Sequence, residues 1–214
     1  MPTDRSSATR DRLIAATVES LRSNGVSGLT SREITGAAGV NLQAITYHFG
    51  SKDSLVAVAL TELVHARLDP VRTALEADGD PAERLFHALT TINVAFAVGR
   101  ADLEVYADAI AACSTNTELA SSLGELHEEL LTYLAQLISE MQADGYIQSW
   151  VAPGAMAELL VAIGDGLATH ARFGEPDVDG VLDQVALLLL AARDQRSRIW
   201  PTAARLLIKR MTKH

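Results

Sequence analysis

A short stretch between residues 41 and 52 concentrates polar side chains that can recognise the edges and phosphates of nucleic acid. The carboxamide of Gln43 can form two hydrogen bonds with an adenine edge, and Asn41 can do the same or contact a phosphate. Ala44 can touch a thymine methyl group. Lys52 can place a positive charge on a phosphate beside the amino end of a helix. These residue types predict a surface that reads DNA.

The residues before this stretch predict a short helix and a tight turn. Thr30 or Ser31 can cap a helix in which Ile34 and Ala38 recur at helical spacing. Gly39 can adopt a left-handed conformation at no steric cost, and it therefore ends that helix.

The residues after the turn predict a second short helix, from Leu42 to Phe49, with Asn41 as its cap. Ile45 and Phe49 are four residues apart, so they lie on one side of that helix and can pack against the first. The other side chains are left for the outer faces. This division is what a recognition helix in a DNA major groove requires.

Three runs at fixed spacing resemble the DNA-binding domain of the TetR (tetracycline-repressor) family of bacterial regulators. They are the turn Ala37–Val40, the helix end Tyr47–Phe49 and the following Ser51–Asp53. The resemblance is close over about the first 65 residues. It implies an all-α fold of about nine helices, with a three-helix helix-turn-helix domain followed by a helical ligand-binding and dimerisation domain. It also implies that Tyr47 binds a backbone phosphate.

The predicted DNA contacts span three segments of the N-terminal region. They are Thr30, Ser31, Arg32, Asn41, Leu42, Gln43, Ala44, Thr46, Tyr47, His48 and Lys52. The alternative for the first three is ordinary capping and surface charge. His48 is expected to be structural or to face phosphate. The start of the recognition helix departs from the small or basic residues usual in the family, so its base preference cannot be borrowed from a relative.

The charge of the chain is unevenly distributed. The net charge is −9, but residues 1–68 carry +1, residues 69–192 carry −16 and residues 193–214 carry +6. An acidic body would repel DNA and confine contact to the N-terminal domain.

Three features bear on where the protein acts. The single cysteine excludes an internal disulfide and suits a reducing compartment. The first twelve residues lack a signal-peptide core, and the longest apolar run, 185–192, is too short to cross a membrane. We therefore expect a cytoplasmic protein that does not engage a membrane.

The pattern of apolar residues and breakers predicts the domain limits. Residues 1–55 form the helix-turn-helix domain, with a connecting helix to about 68 that ends at Asp69–Pro70. Residues 69–196 form the regulatory and dimerisation domain, and 197–214 form a basic extension. That extension either docks on the acidic body or adds a contact with DNA or membrane. Helices are expected over 7–24, 81–98, 101–112, 119–143, 153–173 and 178–193.

The last two predicted helices suit a homodimer. The final helix is apolar nearly all round, and the one before it is rich in small residues, so two copies can form a four-helix bundle. The alternative is a well-packed monomer core. The interface residues predicted are Ala157, Val161, Gly164, Ala168, Val185, Leu188, Leu189 and Ala192.

The body helices are expected to enclose an effector site, as the resemblance implies. Its candidate lining residues are Phe86, Asn93, Phe96, Tyr106, Cys113, Tyr133, Met141, Trp150, Met156 and His170. The alternative for each aromatic or methionine is plain core. Because the body is acidic, the ligand should be largely apolar and either neutral or cationic.

Nothing in the sequence predicts catalysis, a metal or a cofactor. His65, His87, His127 and His170 fall on separate helices without ligand spacing, and no nucleophile and base cluster together. We expect a homodimeric repressor that leaves a near-palindromic operator when a small effector binds. The alternatives are a TetR-like module whose drifted head binds another protein, and a helical enzyme with a DNA-binding appendage.

Overall fold

The computed structural model describes residues 4–26, 28–98 and 100–191, and in these ranges the chain forms nine α-helices and no strand. The helices are α1 (Asp4–Asn24), α2 (Ser31–Ala38), α3 (Gln43–Phe49), α4 (Lys52–Glu76), α5 (Pro81–Val98), α6 (Arg100–Ala112), α7 (Thr117–Ala143), α8 (Pro153–His170) and α9 (Val178–Ala191). The all-α prediction is therefore confirmed.

The contacts divide the chain into two compact units. The first unit contains residues 1–66 and 99–126, and the second contains 67–98 and the chain from 127 onward. Helices α4 and α7 contribute residues to both units. The sequence predicted one domain over 69–196 and a separate extension over 197–214, whereas α6 and the start of α7 group with the first unit.

The first unit is built around α1, which packs against α2, α3 and α6. Leu13, Leu21, Ile34 and Leu55 are fully buried there. Burying a side chain of this size stabilises a fold by about 1.5–3 kcal/mol. This core fixes the position of the two short helices α2 and α3.

The second unit has its own apolar core, in which Leu137 and Ile138 of α7 are completely buried. The same core includes Leu75 near the end of α4 and residues of α5, α8 and α9. Arg84 of α5 binds Glu140 of α7 at 2.5 Å and also donates to the backbone carbonyl of Leu75. Apolar packing, together with the ion pair and backbone hydrogen bond of Arg84, therefore holds α4, α5 and α7 together.

Three predicted boundaries were wrong. Pro70 lies inside α4, which continues to Glu76. Helix α1 begins at Asp4, within the stretch expected to be a loose tail, and α8 ends at His170, before Phe173. The basic extension 197–214 lies outside the described residues.

None of the described helices is both long enough and apolar enough to cross a membrane.

Candidate nucleic-acid interface

A capping box begins helix α2. The hydroxyl of Thr30 accepts a hydrogen bond from the backbone N–H of Glu33 at 3.2 Å, and the Glu33 carboxylate accepts from the Thr30 backbone at 3.3 Å. This reciprocal pair satisfies N–H groups that a helix start leaves unpaired. It also occupies the Thr30 hydroxyl, so the structure gives that side chain a capping role.

The turn between α2 and α3 is fixed by the backbone. Gly39 has φ +62° and ψ +40°, a left-handed conformation that costs other residues about 1 kcal/mol or more. The N–H groups of Gly39 and Val40 donate to the carbonyls of Gly36 and Thr35, at 3.2 and 3.0 Å. These bonds set the angle at which α3 leaves α2.

Helix α3 is anchored on one side only. The side-chain oxygen of Asn41 accepts from the Ala44 N–H at 3.0 Å, which caps the helix as predicted. Ile45 is buried, and the guanidinium of Arg10 lies 5.3 Å from the centre of the Phe49 ring, within the range of a cation–π contact. The inward face of α3 is thus held by α1 and the core.

The opposite side of α3 is open. Tyr47 is 79% exposed and Leu42 is 53% exposed, although large apolar and aromatic groups usually avoid water. Asn41, Gln43 and Thr46 are also exposed. One short helix therefore presents an uncovered row of hydrogen-bonding and aromatic side chains.

The remaining predicted DNA contacts differ in how far they are exposed. His48 is half-buried and meets the Tyr47 ring edge-on, with 4.8 Å between ring centroids. Ala44 is half-buried as well, whereas Arg32 at the start of α2 is exposed and Ser31 is half-buried. Arg32 is thus an exposed cation in the first turn of α2.

Lys52, expected at a phosphate, is engaged within the protein. Its ammonium group donates to the backbone carbonyl of Leu29 at 3.1 Å. Ser51 caps α4 by accepting from the Ser54 N–H at 3.0 Å. The structure therefore gives Lys52 a positioning role, tying the start of α4 to the loop before α2.

The structure places most of the predicted interface residues inside their own subunit. Those buried in the second unit are Ala157, Val161, Ala168, Val185 and Leu189. Because these side chains are already covered, they can offer a partner little area. Gly164 is half-buried, Leu188 is 68% exposed, and Ala192 lies outside the described residues. The sequence did not single out Leu159 of α8, which is exposed as well.

The structure brings together only some of the predicted effector residues: Tyr133 and Met156 pack against the core cluster that contains Met141. Tyr106 and Cys113 belong to the first unit, and the others belong to the second. In that unit Met141 is buried, as a core residue would be. Trp150 is 73% exposed and His170 is exposed too, as surface residues would be. Phe86, Tyr133 and Met156 are half-buried, and the side chains of Asn93 and Phe96 lie outside the described set.

Cys113 is a protected thiol. Its Sγ donates to the backbone carbonyl of Ala109 at 3.3 Å, and burial raises the pKa of the thiol. A thiol with a raised pKa is a poor nucleophile at neutral pH. No group of three or more potential metal ligands converges within the described ranges.

An open depression of about 470 Å³ lies within the first unit, and none of the ten predicted effector residues lines it. Its walls are the start of α4, the connection between α6 and α7, and Val26 after α1. Sequence reasoning missed this site because its walls are far apart along the chain. Only the fold brings Asp53 close to Thr115 and Glu118.

Two protein-family sequence models match this chain, one over the helix-turn-helix and one over the later helices. The sequence model described as "Bacterial regulatory proteins, tetR family" matches residues 13–59, which include α2, α3 and the turn between them. The model described as "BetI-type transcriptional repressor, C-terminal" matches residues 81–195, more than half of the chain. No protein in the curated comparison matches significantly.

Several solved structures share the fold. A transcriptional regulator from Rhodococcus sp. Rha1 is 26% identical, with 90% of this chain and 99% of that chain covered and a TM-score of 0.69. A TetR regulator from Haloarcula marismortui is 21% identical, covering 87% and 98%, with a TM-score of 0.76. A putative regulator from Saccharomonospora viridis, solved in complex with choline, is 20% identical, covering 89% and 100%, with a TM-score of 0.75. The chain therefore belongs to the TetR family of bacterial transcriptional regulators, which are DNA-binding proteins and not enzymes.

Proposed function

We propose that the protein is a homodimeric repressor that binds a near-palindromic operator and leaves it when a small effector binds. The observation that carries this proposal is the exposed face of α3, where Gln43, Thr46 and Tyr47 stand uncovered on a helix anchored from behind. Such a helix fits the width of the major groove.

Each exposed residue has a distinct proposed role. Gln43 at the first position of α3 reads an adenine, and Asn41 and Thr46 beside it contact bases or phosphate. Tyr47 and Arg32 contact the backbone and set the register without reading sequence. Leu42 and Ala44 touch sugar or thymine methyl groups. Lys52 acts through the Leu29 carbonyl it holds, or exchanges that bond for a phosphate on DNA.

Dimerisation is supported by what the last two helices leave uncovered. Leu159 of α8 and Leu188 of α9 are large apolar side chains, and both are more than half exposed. Pairing with a second copy would bury them and would supply the second reading helix that a palindrome requires. The half-buried Gly164 would let the partner's backbone approach closely.

The effector is proposed to bind in the second unit, near Phe86, Tyr133 and Met156. The described residues of that unit, 67–98 and 127–191, carry −11, so an organic cation or neutral apolar molecule is favoured over an anion. The Saccharomonospora viridis neighbour was solved with choline, a small organic cation. Helix α4 contributes to both units, so a shift of α4 is the proposed route to the reading helices. A coupling of about 1–3 kcal/mol would be ordinary.

Two substitutions on α3 separate base reading from backbone contact. Gln43→Ala should change which duplexes are enriched from a random pool, because one base contact is lost. Tyr47→Phe should weaken binding to all duplexes about equally, because a phosphate contact carries no sequence information. Anisotropy titrations with the selected duplex and with single-base variants give both quantities. An unchanged preference in Gln43→Ala would remove that residue from the reading role.

The effector is tested on the same duplex. Choline and a panel of neutral apolar compounds are titrated into the preformed complex, and loss of anisotropy identifies a ligand that releases DNA. If every ligand leaves the complex intact while the duplex remains specifically bound, the DNA-binding proposal stands and the release mechanism does not.

A further inference from the structure

Arg10 interrupts the apolar pattern on the inward side of helix α1. Leu13, Ile14, Thr17 and Leu21 on that side are buried. Arg10 precedes Leu13 and Ile14 by three and four residues, so helical spacing places it on the same side of α1. Its side chain is nevertheless exposed. A charged residue in line with a buried face is unusual, and it indicates a role at the edge of the core.

The charged group of Arg10 lies beside the carboxyl end of helix α3. Its guanidinium carbon is 5.3 Å from the centre of the ring of Phe49, the half-buried last residue of α3. At this distance the ring attracts a cation. The Phe49 ring therefore holds a positive charge next to the segment that carries the exposed Tyr47.

The guanidinium of Arg10 keeps its hydrogen-bonding capacity in this position. It lies over the ring, and a contact through the face of a guanidinium leaves the N–H groups at its edge available. Arg10 forms no hydrogen bond or ion pair with a residue whose side chain the structure describes. A pair of parallel N–H groups matches two oxygens of a phosphate.

Most other cations of the N-terminal region are engaged within the protein. Lys52, Arg22 and Arg12 each bond to another described residue. Residues 1–68 carry only +1, so the few cations near α3 that lack such a bond matter most for attraction to phosphate. Arg32 at the start of α2 is one of them and has been assigned to the DNA backbone. Arg10 is another, at the far end of the helix-turn-helix sequence.

We infer that Arg10 is a further DNA-binding residue, which donates to a backbone phosphate at the carboxyl end of α3 while Phe49 holds it in place. This inference rests on the proposed insertion of α3 into the major groove. A phosphate contact adds affinity and fixes the position of the helix, but it reads no sequence. The competing role is local, because a cation near the carboxyl end of a helix also stabilises that helix. The two roles differ in how DNA affinity responds to salt.

The test compares Arg10→Ala with Arg12→Ala, which removes the same charge from an exposed position on the same helix. Anisotropy titrations of the full-length protein are made between about 50 and 200 mM salt, on the selected duplex and on a duplex of unrelated sequence. Arg10→Ala should weaken binding to both duplexes by about fivefold to tenfold for each bound subunit. The slope of log affinity against log salt should become shallower by about 0.9 per subunit. Arg12→Ala should change affinity by less than about twofold, with the slope of the wild type.

A second substitution separates charge from folding. Arg10→Lys keeps a cation that can meet a phosphate, so it should recover the wild-type slope and most of the affinity. Thermal unfolding of each variant shows that it is folded. A wild-type slope in Arg10→Ala would overturn the inference even if affinity fell, because a merely stabilising residue does not change the number of phosphate contacts. Equal changes in Arg10→Ala and Arg12→Ala would overturn it too, since both would then report net charge alone.

Failure of the proposed function gives a different result. If the wild type bound both duplexes equally and Arg10→Ala still lost slope, sequence reading by α3 would be wrong and the phosphate contact would stand. If the wild type bound neither duplex, both proposals would be wrong.

Discussion

Helix α3 and helix α9 differ in what they leave exposed, and the difference separates two kinds of function. On α3 the uncovered residues are polar or aromatic, with Tyr47 79% exposed, and they suit the polar edges of DNA. On α9 the large apolar side chain that is exposed among the described residues is Leu188, which suits an apolar partner surface. The first unit thus presents a surface for nucleic acid, and we propose that the second unit meets a second copy of the chain.

The two regions also differ in how they are held. The reading helices depend on bonds between residues close in sequence, such as the Thr30–Glu33 capping box and the Gly39 turn. The second unit depends on contacts between distant residues, such as Arg84 with Glu140 and Tyr146 with Asp80. Local bonds can be read from sequence spacing, whereas distant ones follow only from the fold.

The largest effect should follow from charging the exposed leucine of α9. Leu188→Glu would place a carboxylate in the proposed apolar interface, where an unpaired charge costs several kcal/mol. Sedimentation should show monomers at micromolar concentration, and operator affinity should fall by at least about 100-fold because one reading head is lost. Trp150→Glu is the control, since Trp150 is equally exposed but lies between α7 and α8. If the Leu188→Glu protein remained dimeric, the proposed role of the exposed face of α9 as the dimer interface would be wrong.

The next largest effect concerns the distant hydrogen bond from the Tyr146 hydroxyl to the Asp80 carboxylate. Tyr146→Phe should lower the free energy of unfolding by about 1–3 kcal/mol, as is usual for a bond to a charged group. Tyr133→Phe is the comparison, because its exposed hydroxyl lies 3.3 Å from the Glu129 carboxylate and beside Glu76, where water replaces a lost bond. Urea titrations at pH 8 give both values.

The same bond predicts a pH dependence. The Asp80 carboxylate raises the pKa of Tyr146 to about 12. The unfolded chain loses this proton near its ordinary pKa of about 10, so the stabilisation is complete below that pH and is lost as the pH rises through about 12. The difference between wild type and Tyr146→Phe should therefore be smaller at pH 11 than at pH 8. A constant difference would contradict the assigned bond.

A smaller and local effect is expected at the capping box. Thr30→Ala should cost about 1 kcal/mol and should speed hydrogen exchange in α2 more than elsewhere. Thr30→Ser keeps the hydroxyl and should restore exchange to the wild-type rate. If exchange accelerated equally in the second unit, the contrast between local and distant stabilisation would fail.

The smallest effect should come from the ion pair between α1 and α6. Arg22 binds Asp102 at 2.6 Å, which raises the pKa of the guanidinium, but the pair is partly exposed. Arg22→Ala should therefore lower the free energy of unfolding by no more than about 1 kcal/mol, and by less in high salt. Arg12→Ala on the same helix is the control, since the described partners of Arg12, Ala8 and Thr9, both lie within α1. A loss well above 1 kcal/mol would mark the pair as a principal tie in the first unit.

The sequence predicted the reading region well because its signals are local. Asn41 caps α3 and Gly39 turns left-handed, and both follow from residue type and position alone. The sequence-based prediction was wrong at Pro70, where a helix end is expected but α4 continues to Glu76. Proline in a helix costs about 3 kcal/mol, but Val71, Ala74 and Leu75 just beyond it are buried, so their packing keeps α4 continuous.

The second unit was harder to predict for a related reason. A run of apolar residues in α9 shows that the helix is covered on several sides, but it does not show which side faces the same subunit. Val185 and Leu189 turned out to face the core, whereas Leu188 between them faces outward. Residue type did not show either whether Met141 and Trp150 line a pocket. Met141 is buried in the core, and Trp150 is exposed on the surface.

The central claim is that α3 reads a specific DNA sequence, and the direct measurement is selection of random duplex DNA by the purified protein. The account predicts enrichment of a near-palindrome, bound by an even number of subunits, with an affinity that falls as salt rises. The result that would contradict it is no enrichment, either with the protein alone or with cell extract added. That outcome would favour a TetR-like module whose head binds another protein.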